Sequence, residues 1–502
     1  MKFAVQFAAP FEVPASARLT DLVSGQSLNQ SAIEAAVLEW QQILTDLSAQ
    51  RLVLWADTSL DWVLLDIACL RCQQLLVPLP LFASHGQLTH VLSAVGPEFL
   101  LTDREVPTEW AQQLGLTLRG RCRSFYLYQT PAALQQQAQP VPAGTQKITF
   151  TSGSTGQPKG VCLSAQTQLD TAQSLVTRIA PKLQAQSQPR HLCLLPLSLL
   201  LENIAGVYAP LLAGGEVLLM PDAGRGFAGS SLANPQQLLG LISQTQPNSL
   251  ILVPELLQLL VQAALKGWPV PASLQFIAVG GAKVAVDTLR QAAALKLPVY
   301  QGYGLSECGS VVALCSVDAA NATDDELQSA GKPLPHLAVR IEQGEIQVKT
   351  PFLGYMGQSA PEQNEWVATG DLGQWTDDGD LQILGRRNNL LISSFGRNIS
   401  PEWVESELTK TGLVQQAVLC GDAKPYCVAV LYAAPTVSDA QLNDYIDWVN
   451  QQLPDYARVA RYHRLTTPLS QAEGTLTSNG RPRRAAIVQA YQQQIAALYP
   501  AA

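Results

Sequence analysis

Residues 148–161, ITFTSGSTGQPKGV, set Thr151, Ser152, Ser154 and Thr155 among two glycines, Gly153 and Gly156, with one cation at Lys159. Hydroxyls, backbone N–H groups and a single ammonium form a surface that suits phosphate oxygens. The run is not a Walker A loop, which needs a longer gap between its glycines and then Gly-Lys-Ser/Thr. Here Pro158 precedes Lys159 and Gly160 follows it. A second stretch, QGYGLSECG, joins Gln301, Gly302, Tyr303 and Gly304 to Ser306 and Glu307. Its Gly304-Leu-Ser306-Glu-Cys308 run approaches the G-x-S-x-G nucleophile elbow of serine hydrolases but ends on Cys instead of Gly. No histidine stands in an evident motif as its base, and the five histidines show no metal-ligand spacing.

These groups need a scaffold, and 502 residues are too many for one hydrophobic core. From about residue 30 helical and strand patterns alternate. SAIEAAVLEWQQILTDLSA and DWVLLDIACLRCQQLL have helical spacing, whereas RLVLWAD and LLVPLP read as short buried strands. TPAALQQQAQPVPAGTQ is a Gln- and Pro-rich connector. The alternation resumes with HLCLLPL, GEVLLMP, SLILVP and LQFIAVGG as strands, and PQQLLGLISQTQ and PELLQLLVQAALKG as helices. The pattern predicts an α/β fold with a largely parallel sheet covered by helices. From about residue 336, HLAVRIEQGEIQVKTP alternates apolar and polar residues, as strands with one wet face do. SPEWVESELTKTG opens like a helix, and AVLCGD and CVAVLYAA read as strands of a small α+β unit. We expect a large multi-sheet domain over residues 1–385 and a small one over 386–502.

A net charge of −8 with no basic patch argues against nucleic acid as a partner. Nine scattered cysteines read as free thiols in a reducing compartment. The Cys69–Cys72 pair falls on a helical pattern, where packing outweighs a redox role. The N-terminal MKFAVQFAAPFEVP lacks the pattern of a signal peptide. The apolar run 192–201 is interrupted by Pro196 and too short to span a bilayer. The expected setting is cytoplasmic, without an integral membrane segment.

Six segments occur in order: ITFTSGSTGQPKGV, VYQGYGLSECG, GEIQVKTP…GY, WVATGDLG, LQILGRRNNLLISSFGRNISPEWVE and GTLTSNGRPRR. Together they resemble the adenylate-forming superfamily of acyl-CoA synthetases, peptide-synthetase adenylation domains and firefly luciferases. The resemblance runs from about residue 30 to 490 and leans to the fatty acyl-CoA synthetase branch. It implies a large N-terminal ATP- and acyl-binding domain and a small mobile C-terminal domain, with a hinge near Asn389. It implies two half-reactions as well, formation of acyl-AMP with release of pyrophosphate and then attack of a thiol on the acyl carbon.

By the same resemblance, Thr151 to Gly156 and Lys159 grip the departing pyrophosphate. Gln301, Gly302, Tyr303 and Gly304 receive the nucleotide, with Tyr303 stacked on adenine. Ser306 bonds a phosphate oxygen, and Glu307 holds Mg²⁺. Asp371 accepts the ribose hydroxyls, Arg386 adds a contact there, and Ile383 joins the nucleotide set. Gly280, Gly281 and Ala282 lie between adenine and the acyl pocket.

Three positions depart from the family pattern. Arg481 stands where a lysine usually bridges carboxylate and α-phosphate. Arg keeps the charge but binds in a planar, two-pronged way, so we expect slower or shifted adenylation. Arg484 matches a position that is often basic. Leu199 replaces a histidine beside the acyl site, which leaves an aliphatic wall, and Asn389 replaces an acidic or Lys hinge residue. Within HLCLLPLSLLLENIAGVY the only carboxylate is Glu202, and the Asp that anchors an amino group is absent, which weighs against an amino acid substrate. The expectation is ATP- and Mg²⁺-dependent activation of a carboxylic acid. A medium- or long-chain fatty acid or a hydrophobic aromatic acid fits, with CoA as the thiol. Two alternatives stay open, an acyl carrier protein as acceptor and a nucleotide-binding homologue impaired in catalysis.

Overall fold

Short leucine- and valine-rich runs pair into two large sheets, and the helices between them cover both. The computed structural model describes residues 11–152, 158–183, 188–229, 231–358, 365–389, 391–392, 398–422, 424–477 and 480–499. The chain is a mixed α/β protein with a large N-terminal part and a smaller C-terminal one. The seven-stranded sheet runs Thr117–Cys122, Phe125–Gln129, Phe99–Thr102, Arg51–Trp55, Leu75–Leu79, Lys147–Ser152, Pro158–Leu163. Its last two strands are an antiparallel hairpin that places Thr151 opposite Lys159. In the nine-stranded sheet Val299–Tyr303, Phe276–Val279, Ser249–Leu252, Arg190–Leu192 and Glu216–Leu219 are parallel neighbours. Antiparallel strands close both its edges.

Local chemistry sets the element ends. Asn29 accepts the amide of Ala32 and starts the helix Gln30–Leu47, and Ser59 does the same for Leu60–Cys72. That second helix buries every residue from Trp62 to Leu70. Cys69 is buried and Cys72 exposed on it, and all nine cysteines are free thiols. HLCLLPL yields only the short strand Arg190–Leu192; the chain then leaves the sheet and enters a π-helix, Leu201–Tyr208. The connector expected before the hairpin carries a short helix, Ala132–Gln136.

A buried network fastens the base of the hairpin. Lys147 Nζ lies 2.8 Å from Asp66 Oδ1, and it donates to Asn203 Oδ1 at 2.6 Å and Tyr208 Oη at 3.0 Å. Burial pushes the Lys147 pKa down, and Asp66 opposes that. Removing one partner of such a pair costs about 3–5 kcal/mol.

The helix Ala165–Leu183 packs its Leu175, Val176, Ile179 and Leu183 with Phe276, Ala278 and Tyr300 of the nine-stranded sheet. Farther on, Ala338–Glu342, Glu345–Lys349, Trp366–Trp375 and Leu381–Arg386 form an antiparallel sheet. A three-stranded sheet follows: Val414–Cys420 and Cys427–Ala433 antiparallel, and Val459–Arg464 parallel to the second. Helices Pro401–Thr409 and Asp439–Gln452 pack on it. No helix among the described residues is long and apolar enough to cross a membrane.

Candidate active site

One cavity of about 1530 Å³ collects residues from both large sheets, the antiparallel sheet and the C-terminal part. Pockets for one drug-sized ligand hold roughly 300–1,000 Å³, so this volume admits more than one chemical moiety. Lys159, Gly281, Ala282, Gly302, Tyr303, Gly304, Ser306, Glu307, Arg386 and Arg481 all line it. Residues that are distant in sequence therefore meet in one place.

Lys159 sits at the start of the strand Pro158–Leu163. The Thr151 and Ser152 backbones belong to the opposing strand, whereas Gly153, Ser154, Thr155 and Gly156 lie outside the described residues. The Lys159 ammonium lies 5.5 Å from the centre of the Tyr355 ring. The Tyr355 hydroxyl donates to Glu307 Oε1 at 2.8 Å. A bridge between Val161 and Tyr355 holds that tyrosine against the hairpin. Tyr355 thus ties Lys159, the cation expected to meet the polyphosphate, to the carboxylate expected to meet the metal, a link that the sequence does not reveal. Burial, and then Glu307, raise the Tyr355 pKa, so its hydroxyl stays a donor.

Gly304 is dictated by packing, since a Cβ there would lie 1.6 Å from the Ser310 carbonyl oxygen. Gly281 has φ +91°, and its open side faces the Arg481 guanidinium, with Nη2 3.8 Å from where a Cβ would stand. That distance is ordinary contact, so it is the positive φ that favours glycine here.

The expected ribose carboxylate is covered. Asp371 and Arg386 are cross-strand partners. Arg386 Nε lies 2.7 Å from Asp371 Oδ1, and the Tyr303 hydroxyl donates to Oδ2 at 2.6 Å. Asp371 is 4% exposed and is absent from the cavity lining, whereas Arg386 and Tyr303 line it. Burial raises the Asp371 pKa, and Arg386 and Tyr303 oppose the rise. Two other residues of the nucleotide set also lie off the lining. Gln301 donates to the Leu327 and Ser329 carbonyls at 2.7 and 3.1 Å, so its amide braces a loop. Ile383 packs in the apolar cluster behind Tyr303.

Arg481 is presented by a tight turn. Thr477 N donates to the Arg481 carbonyl at 2.8 Å, Arg481 N donates to Thr477 Oγ1 at 3.0 Å, and Leu476 pairs with Pro482. Arg481 is solvent-exposed along the cavity, yet the protein crowded around it and then Arg386 lower its pKa, against Asp371, Glu255 and Glu402. Arg484 is not a loose surface charge. It pairs with Glu405 at 2.7 Å and donates to the Leu419 carbonyl at 2.6 Å, which locks its helix to the three-stranded sheet. Asn389 Nδ2 donates to Glu402 Oε1 at 2.6 Å. Lys410 bonds Asp287 Oδ2 at 2.6 Å across to the N-terminal part.

Toward the other end the cavity becomes aliphatic. Register partners on parallel strands share a face. Ser249 and Ile251 on one strand, and their register partners Phe276 and Ala278 on the next, line the cavity, together with Leu250 and Val279 and with Val253 and Gly280 just past the strand ends. Leu175, Val176, Ile179, Ala180 and Leu183 form the facing helical wall, and Leu199 joins the lining. Glu202 is fully buried and bonded to His191 and the Leu195 amide, so it offers no anchor for an amine.

Residues 35–354 match the AMP-binding enzyme family, and residues 388–502 match the AMP-binding enzyme C-terminal domain. The 2-succinylbenzoate–CoA ligase of Bacillus velezensis is 31% identical over 298 residues, 56% of this chain and 56% of that protein. The long-chain-fatty-acid–CoA ligase FadD15 of Mycobacterium bovis is 28% identical over 234 residues, 40% of this chain and 38% of that protein. The chain thus spans about half or less of the length of these curated relatives. Among solved structures, the O-succinylbenzoate coenzyme A synthetase of Bacillus subtilis, in complex with ATP and magnesium ion, superimposes with a TM-score of 0.72. It is 25% identical, with 93% of this chain and 95% of that one covered.

Proposed function

The chain belongs to the AMP-binding enzyme family, and on that premise we propose that it ligates a carboxylic acid to the thiol of CoA through an acyl-adenylate. A carboxylate oxygen attacks the α-phosphorus of ATP, the bond to the β-phosphate oxygen breaks, and pyrophosphate leaves. The CoA sulfur then attacks the acyl carbon, the bond to AMP breaks, and the thiol proton passes to solvent. The observation that carries this reading is the single cavity in which Lys159, Glu307 and Arg481 meet the aliphatic track.

Each residue has a part. Lys159 and the hairpin hydroxyls take the charge of the leaving pyrophosphate. Glu307 faces the cavity as a carboxylate braced by Tyr355 and suits Mg²⁺, which binds phosphates through one or two protein carboxylates. Such an ion supplies charge neutralisation on the polyphosphate. Arg481 draws carboxylate and α-phosphate together. Arg386 moves off Asp371 when the ribose hydroxyls arrive, since the carboxylate is otherwise capped. The region after residue 385 turns about Asn389 between the half-reactions, which requires the Lys410–Asp287 ion pair to part.

The acid is a medium- or long-chain aliphatic one or a hydrophobic aromatic one. Among the described residues the lining lysines and arginines are Lys159, Arg386, Arg387, Arg481, Arg483 and Arg484, none of them on the deep strands or the helical wall, and the imidazole there, His191, is already engaged by Glu202. A second carboxylate, as in 2-succinylbenzoate, has no cation among these residues to meet it there. We assign the reaction to the cytoplasm, where ATP, CoA and free thiols coexist. The test is acyl-CoA formation, followed by mass spectrometry, from ATP, Mg²⁺, CoA and either apolar monoacids or 2-succinylbenzoate. The reading expects thioester from the apolar acids. Acyl-AMP that accumulates without thioester would shift the acceptor to an acyl carrier protein.

A further inference from the structure

The aliphatic track has one polar interruption that the ligation chemistry does not use. His191, Ser249 and Phe276 are in register on adjacent parallel strands, and all three line the cavity. From Gly280 down to Phe276 the strand descends roughly 13 Å at about 3.3 Å per residue. The polar group therefore lies deep in the track, far from the reacting carboxyl.

His191 Nε2 is 2.9 Å from Glu202 Oε1, and Nδ1 is 2.9 Å from Ser249 Oγ. The other oxygen of Glu202 accepts the Leu195 amide at 2.9 Å. Space has been kept for this relay. A Cβ on Gly206 would lie 2.1 Å from Glu202 Oε1 and 2.7 Å from His191 Nε2. Gly206 and Glu202 both belong to the π-helix, and such irregular turns concentrate at functional sites. The Glu202 carboxylate faces Nε2 and the Ser249 hydroxyl faces Nδ1, so the imidazole holds that hydroxyl in one orientation. Ser249 Oγ then keeps acceptor capacity toward the cavity. A second hydroxyl on the lining, Ser198 Oγ, is buried with no hydrogen-bond partner. An unpaired hydroxyl such as that of Ser198 beside a purely aliphatic chain would cost stability with no return.

We infer that the deep track recognises a hydroxyl group on the acyl chain of the acid, through Ser249 oriented by His191 and Glu202. A hydroxyl suits the site because it donates to Ser249 and stays neutral, and Glu202 lies behind the relay to repel an anion. This rests on the acid-activating reading above and adds the substituent that the acid carries.

The test compares ω-hydroxy acids with their unsubstituted parents, from octanoic to hexadecanoic acid, by ATP–pyrophosphate exchange. At the length that reaches Ser249, kcat/KM favours the hydroxy acid by about fivefold or more, the worth of one neutral hydrogen bond. That ratio falls to near one in Ser249→Ala and is retained in Ser249→Thr, a split that a merely structural serine would not give. Plain acids that exchange with no hydroxyl preference at any length overturn the inference, as does a preference that survives Ser249→Ala. The wild-type ratio needs no variant to fold. Absence of exchange with every acid overturns the acid-activating reading instead, so the two failures are distinguishable.

Discussion

The two ends of the cavity are built by different means. The end proposed for the nucleotide is made of charges and glycines that converge from the hairpin, the Gly304 turn, the antiparallel sheet and the Arg481 turn. The end proposed for the acyl chain is made by residues of two neighbouring strands and one helix, which together form a wall. At the first end the proposal gives single side chains their own chemistry, so replacing one should remove a function. At the second the wall is collective, so replacing one residue shifts a preference. The difference teaches where catalytic and where specificity changes belong in this molecule.

The largest effect that separates the ends comes from charge. Lys159→Ala and Glu307→Ala each lower acid-dependent exchange by about a hundredfold or more, because each removes stabilisation of polyphosphate charge. An unchanged exchange rate in either variant would break the assignment of that residue.

Arg481→Ala comes next. Exchange falls by about a hundredfold, whereas thioester formation from supplied acyl-AMP moves by less than about threefold. Equal losses in both assays would remove Arg481 from the first half-reaction.

The acyl end answers differently. Ala278→Leu adds bulk beside Gly280 and Ile251, so the preferred acid becomes shorter while the best acid keeps its maximal rate within about fivefold. The length profile of exchange reports it. A uniform loss at all lengths would make the wall part of the catalytic machinery.

The smallest effect concerns pH. Burial raises the Asp371 pKa above the ordinary carboxylate value. As pH falls toward that raised pKa, Asp371 is protonated, loses its pairing with Arg386 and accepts ribose hydroxyls less well. AMP binding by calorimetry therefore weakens on acidification by a few-fold, and Asp371→Asn flattens that part of the profile.

How legible each end is in the sequence follows from the same contrast. Phosphate and nucleotide contacts need particular residues at fixed offsets, so the hairpin run, QGYGLSECG and NGRPRR stand out as strings of residues alone. What stays hidden depends on partners far away along the chain. Tyr355 looks like an ordinary tyrosine in the sequence, yet it joins Lys159 to Glu307. Arg484 has the look of a surface charge, and only folding sets Glu405 beside it. Asp371 stands out by its motif as a carboxylate for the ribose, but its burial under Arg386 is a tertiary fact. Gln301 sits inside a nucleotide motif although its amide braces backbone carbonyls. The acyl wall is illegible because it spans two strands, and SLILVP and LQFIAVGG each read only as buried. The turn of HLCLLPLSLLLENIAG into a π-helix has no local signal, and that turn is what brings Glu202 under His191.

The most direct test of the account is carboxylate-dependent ATP–pyrophosphate exchange across acids of graded length and type. The account predicts exchange with apolar monoacids, a clear length optimum, and loss of exchange in Lys159→Ala at every length. Bound AMP with no exchange for any acid in the panel would contradict it, and would leave a nucleotide-binding protein without the ligase chemistry.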